Sequence, residues 1–217
     1  MFSGDGYDAG GQNMVEISGD SFDYDVLTDA AKDIKGVDGV VCEIGLRMGG
    51  GLKAIVEGLM AHEDLRPFVA IDPYGSIGYC QNEVWRMDAS AYTNSMKNQA
   101  LQAIGLFCEL NGVNFMPFIM EDSEFFSRFG DGVPIYEGQK RIVSRYALTH
   151  FDGPHNSQSV LEEIGFFIPR CNVGSYFVFD DVQDYDHSKV HSVLSEDGRF
   201  VVVRSTGRKI SYKRVRV

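Results

Sequence analysis

The chain has 217 residues, of which 44% are apolar and 24% charged, a balance that excludes a wholly disordered chain. Thirty-one acidic side chains against twenty basic ones give a net charge of −11, a field that repels a phosphate backbone and speaks against nucleic-acid binding. The apolar runs fall far short of the roughly 18–20 residues that a membrane helix needs, so no membrane partner is expected.

Residues 1–20 hold five glycines and no lysine or arginine, and read as a flexible tail before one domain spanning 21–217. No basic stretch followed by an apolar one opens the chain, so a cytoplasmic location is expected. The four cysteines, Cys42, Cys80, Cys108 and Cys171, lack metal-clip or redox spacing and read as reduced thiols. Residues 22–35 read as an amphipathic helix with Phe22, Val26, Ala30 and Ile34 on one face. Strand-like runs then alternate with helical stretches. Strands are expected at 40–44, 68–71, 115–120, 145–151 and 175–179. Helices are expected at 52–61, 92–110, 123–129, 157–168 and 185–194. Residues 130–141 read as a turn-rich surface loop. The strands at 199–204 and 210–217 form a closing hairpin. This order predicts a doubly wound α/β fold: a mostly parallel, seven-stranded sheet with one antiparallel strand in the C-terminal hairpin and helices on both faces.

In such sheets ligands bind at the carboxyl ends of the strands. The first strand ends in a glycine turn, Glu43-Ile44-Gly45-Leu46-Arg47-Met48-Gly49-Gly50, where glycine lets the backbone approach a ligand. Its spacing differs from the dinucleotide pattern G-x-G-x-x-G. The second strand ends at Asp72, placed to accept hydrogen bonds from a ribose diol, or to cap a turn. The third ends at Asp122-Ser123, and either residue is also suited to capping the next helix. The fourth strand ends in Asp152-Gly153-Pro154-His155 and the fifth in Asp180-Asp181. Neighbouring strands lie about 4.8 Å apart, so three carboxylates converge at one rim. Either a divalent cation sits among them, or some are protonated or splayed apart.

The order of these motifs resembles the class I S-adenosylmethionine-dependent methyltransferases, in particular the macrocin O-methyltransferase-like branch of metal-dependent sugar O-methyltransferases. The resemblance covers roughly residues 36–195. It implies that Glu43, Gly45, Gly49, Asp72, Asp122 and Ser123 border S-adenosylmethionine. It further implies that Asp152, Asp180 and Asp181 hold magnesium or another divalent cation. The acceptor is expected to be a small hydroxylated molecule such as a sugar. Some members carry an acid two residues after the first metal aspartate; here Pro154 stands in that place. His155 next to it, with Asp152, then becomes the candidate catalytic base, and capping of the helix near Asn156 is its other reading. His150 reads as a strand side chain turned into packing.

The last 19 residues carry seven basic side chains and no acid. They read as a charge-protected edge hairpin, or as a face that meets the acidic half of another copy in a homo-oligomer. The rival functional readings are a nicotinamide-dependent oxidoreductase using Asp72, and a module that binds the methyl donor without catalysis.

Overall fold

Apolar runs fold as strands, and stretches with an apolar residue every three or four positions fold as helices. The computed structural model describes residues 17–19, 21–81, 84–86, 92–196 and 198–217. Most of the expected tail therefore lies outside the described residues. In chain order the elements are α1 (Asp25–Asp33), β1 (Val40–Ile44), α2 (Gly50–Met60), β2 (Phe68–Ile71), β3 (Tyr79–Gln81), β4 (Val84–Arg86), α3 (Asn94–Leu110), β5 (Phe115–Phe118), α4 (Asp122–Arg128), β6 (Val133–Glu137), β7 (Gln139–Val143), β8 (Tyr146–Phe151), α5 (Ser157–Phe167), β9 (Cys171–Phe179), α6 (His187–Ser195), β10 (Phe200–Ser205) and β11 (Ile210–Arg214).

The main sheet has seven strands in the order β10-β11-β9-β8-β1-β2-β5. From β5 to β9 all neighbours are parallel, and β11 alone runs against both of its neighbours. The central strands β1, β2 and β8 are buried along their whole length, as parallel strands covered on both faces must be. Side chains alternate between two helical layers. Val41 packs into the layer of α1, α2 and α3, while Val40, Cys42 and Ile44 pack into that of α4, α5 and α6. Cys42, Cys108 and Cys171 are buried free thiols, and the side chain of Cys80 lies outside the described residues.

Four expectations need correction. Residues 130–141 are no loop: Val133 and Ile135 are buried on alternate positions, and Gly138 takes φ 71° to turn β6 back into β7. The alternation outweighs the turn-forming composition. Similarly, no strand was expected between 71 and 92, and the β3–β4 hairpin lies there. Phe22 precedes α1 and is 73% exposed, while Val26, Ala30 and Ile34 are buried as expected. Finally, Ile17, assigned to the tail, is buried in the layer of α1, α2 and α3.

The basic hairpin also finds its acids within the same chain. Arg204 pairs with Asp25 and Asp29, and Lys213 with Asp33, all on α1. Arg214 donates to the carbonyls of Ile168 and Cys171.

At the middle of β11, His187 sits between the hydroxyls of Tyr185 (3.0 Å from Nδ1) and Tyr212 (3.1 Å from Nε2). Burial, helped by nearby His191, lowers its pKa to about 4. An unfolded histidine binds its proton near 6.5, so between those two values the unfolded state carries more protons. Stability should then fall as pH drops from about 6.5 to about 4, by up to about 3 kcal/mol from this residue. Urea unfolding of wild type and His187→Phe across that window checks this. The slope should be shallower in the variant, and equal slopes would remove His187 as its source.

Candidate active site

The glycine turn is dictated by close approach. Gly45 has φ 85°, and a Cβ there would lie 1.9 Å from the carbonyl oxygen of Asp152. Its own N–H donates to Ile71 O (2.9 Å), and Asp152 N–H donates to Ile44 O (2.9 Å). The exits of β1, β2 and β8 are thus tied together at one glycine. Gly49, at φ 86°, is the N-cap of α2, and a Cβ on it would press on the Ile104 side chain at 2.6 Å.

Two acids brace this turn. Asp72 is 5% exposed and accepts from the N–H of Arg47 and of Tyr74, each at 2.9 Å. Burial raises its pKa, and these two amides hold it down. Asp72 therefore caps the turn, as one of its two readings had it. Glu43 is 1% exposed, and its Oε1 lies 2.8 Å from His150 Nδ1. A Cβ on Gly51 would come within 2.1 Å of the same Glu43 oxygen, so α2 begins flush against the acid. His150 is thus more than packing: it is the polar partner of Glu43. Burial lowers its pKa to about 3, so it is neutral near pH 7.

Neither Asp122 nor Ser123 is the cap of α4; that position is Glu121, and Asp122 accepts from Ser123 N–H (2.7 Å). Asp122 instead stands beside Glu163 of α5. Glu163 is 1% exposed, and its carboxyl is pushed well up by burial and then by Asp122. Nothing in the sequence marked Glu163 beyond its place on an amphipathic helix.

The rim joins β8 to β9. Asp180 N–H donates to Phe151 O (3.0 Å), which sets Asp180 and Asp181 beside Asp152. His155 does not cap α5, because Asn156 does so, accepting from Ser159 N–H at 3.0 Å. His155 Nε2 lies 3.7 Å from Asp152 and 3.6 Å from Asp181. Burial alone would lower the His155 pKa, but the carboxylates of Asp152, Asp181 and Asp180 together raise it. Asp152 is pushed up to about 7, chiefly by burial, with Asp180 adding to the rise and His155 opposing it.

Among the described residues, two groups offer possible ligand atoms within 4.8 Å of one another: Asp152, His155 and Asp181, and His150, Asp152 and Asp180. The expected trio of Asp152, Asp180 and Asp181 is disturbed by residues that the sequence reading set aside. Asp180 Oδ2 accepts from Ser21 Oγ (2.8 Å) and from Lys209 Nζ. Its Oδ1 accepts from Asp181 N–H (2.8 Å) and Arg208 Nε (3.2 Å). Arg208 Nη2 also pairs with Asp181 Oδ1 at 2.6 Å. A carboxylate offers about four lone-pair sites. Asp180 has filled all of them, so as a magnesium ligand it does not fit.

No protein-family model matches the chain, and no curated protein matches it in sequence. Its fold does match solved structures. The O-methyltransferase NovP superposes with a TM-score of 0.62 at 18% identity, over 89% of this chain and 79% of that one. CalS11, a calicheamicin methyltransferase, gives 0.60 at 18% identity, over 88% and 76%. TomG, an O-methyltransferase of tomaymycin synthesis from Streptomyces achromogenes, gives 0.58 at 13% identity, over 92% and 82%. At such identities the likeness is one of fold alone.

Proposed function

We propose that this chain is an S-adenosylmethionine-dependent O-methyltransferase acting on a small hydroxylated acceptor such as a sugar. The observation that carries the reading is the junction of Gly45 with Asp152, which sets a braced glycine turn directly beside a rim of acid and base groups. The similar solved structures, two of them described as O-methyltransferases and one as a calicheamicin methyltransferase, support the same class.

The residues suit the methyl donor. Glycine at 45 and 49 lets the turn pack tightly on Asp152 and Ile104, which fixes its backbone at the exit of β1. Asp72 stands at the exit of β2, where a carboxylate would accept from ribose hydroxyls. Asp122 and Ser123 stand at the exit of β5, where an adenine would lie. When bound, S-adenosylmethionine supplies an electrophilic methyl group. The protein's task is then to hold an acceptor oxygen in line with it and to receive one proton. Asp152, with a pKa near 7, is matched to neutral pH for that proton, and His155 is positioned to share it.

Calorimetric titration with S-adenosylhomocysteine tests the class. One site per chain with micromolar affinity is expected. Binding of a nicotinamide dinucleotide in its place would move the assignment to hydride transfer. Tight cofactor binding with no turnover of any hydroxylated compound would leave a non-catalytic module.

A further inference from the structure

We propose that Lys209 and Arg208 are the fixed counter-cations of this rim, standing where the metal-dependent reading places a divalent ion, and that the rim takes up no such ion.

Two of the three carboxylates already have fixed cations: Asp180 faces Lys209 and Arg208, and Asp181 faces Arg208. Lys209 is fully buried, and its ammonium donates both to Asp180 and to Ser21 Oγ (2.7 Å). A lysine is almost never buried so completely unless it is paired, and here its partner is a carboxylate that is itself 1% exposed. Removing either charge would strand the other.

The placement follows from topology. β11 runs antiparallel to β9, with Ile210 paired to Phe179, so the residues just before Ile210 must land beside those just after Phe179. The turn that carries them is held firmly. Thr206 Oγ1 accepts from Lys209 N–H (2.8 Å) and Arg208 N–H (3.2 Å), and Val182 N–H donates to Arg208 O (3.0 Å). Asp180 is saturated by four donors, and Asp181 Oδ1 is already held by Arg208. The remaining seat among Asp152, His155 and Asp181 has Arg208 at its edge, so an arriving dication meets a resident guanidinium.

Lys209 is on this account a positioning residue, acting through Asp180. The inference deepens the methyl-transfer reading and rests on it for the rim's role; cation binding itself is read without any substrate. The probe is Mn²⁺, added to the full chain after dialysis against a chelator, with free ion counted by electron paramagnetic resonance. Wild type should bind no stoichiometric Mn²⁺ below about 1 mM, and its thermal midpoint should not respond to the ion. Lys209→Met should free Asp180 and bind Mn²⁺ at least about tenfold more tightly than wild type, with a midpoint that rises as Mn²⁺ is added. A purely structural lysine would confer no such dependence when removed. Should Lys209→Met fail to fold, Arg208→Gln, at the more exposed position, is expected to gain the same response. One Mn²⁺ per wild-type chain at micromolar affinity overturns the proposal. So does a folded variant that gains no response to the ion. S-adenosylhomocysteine titrated into the same wild-type sample keeps the two questions apart, since failure to bind it removes the methyltransferase reading and leaves the cation result standing.

Discussion

Gly45→Ala should either fail to fold or fold with a sharply lower thermal midpoint and with binding of S-adenosylhomocysteine reduced by at least about a hundredfold. Two costs combine at this position. A side chain at φ 85° pays about 1–2 kcal/mol for the left-handed conformation. The new Cβ would also lie 1.9 Å from Asp152 O, a backbone atom of a residue whose N–H is tied to Ile44 O, and so unable to swing aside as a side-chain end can. Relief must come from parting the exits of β1 and β8, which displaces the turn and the rim together. Gly165→Ala is the control. It is exposed on α5 with nothing within 4 Å of a new Cβ, and alanine there should stabilise by roughly 0.5–1 kcal/mol. Calorimetry and thermal melts of the two variants side by side measure the contrast. A Gly45→Ala protein that melts and binds like wild type would show that the junction between the turn and the rim is slack.

That junction was only half legible in the sequence. The glycine spacing announced a close approach after the first strand, but which backbone it approached depends on β8 lying next to β1, a long-range pairing that no local pattern encodes. The same limit hid the partner of Glu43. An acid two residues before the glycine was read as a cofactor contact, and His150 as packing, because the register that sets Glu43 opposite His150 is a property of the assembled sheet. Arg208 and Lys209 are the clearest instance. In one dimension they belong to a run of basic residues on an edge hairpin. Once the last strand is known to run against β9, they cannot avoid the exit of β9, and the carboxylates there acquire partners. The antiparallel last strand was expected from the sequence, so this consequence could have been drawn from topology alone. The hairpin at β6 and β7 was missed for a local reason. Glycine and proline were weighed above the alternation of Val133 and Ile135, and burial of that alternating face decided the outcome.

Asp152→Asn should leave a folded protein that binds S-adenosylhomocysteine within about threefold of wild type, while kcat falls by about a hundredfold to ten-thousandfold. The asymmetry follows from where each part of the residue acts. Its backbone N–H and C=O close the junction with Ile44 and Gly45, and asparagine keeps both. Its carboxyl is the part that receives a proton, and an amide cannot. The carboxylate is held at a stability cost, because burial pushes its pKa up to about 7 and its nearest base, His155, stands 3.7 Å away. Removing a strained charge should therefore hold or raise the thermal midpoint even as turnover collapses, the usual sign of a group kept for chemistry rather than for folding. His155→Gln separates the two members of the pair. If Asp152 receives the proton and His155 shares it, the histidine variant should lose less in kcat than Asp152→Asn, with KM little changed. Loss of cofactor binding in Asp152→Asn, or turnover close to wild type, would take the proton-accepting role away from this carboxylate. The first result would return Asp152 to the architecture of the glycine turn, and the second would pass the role to His155.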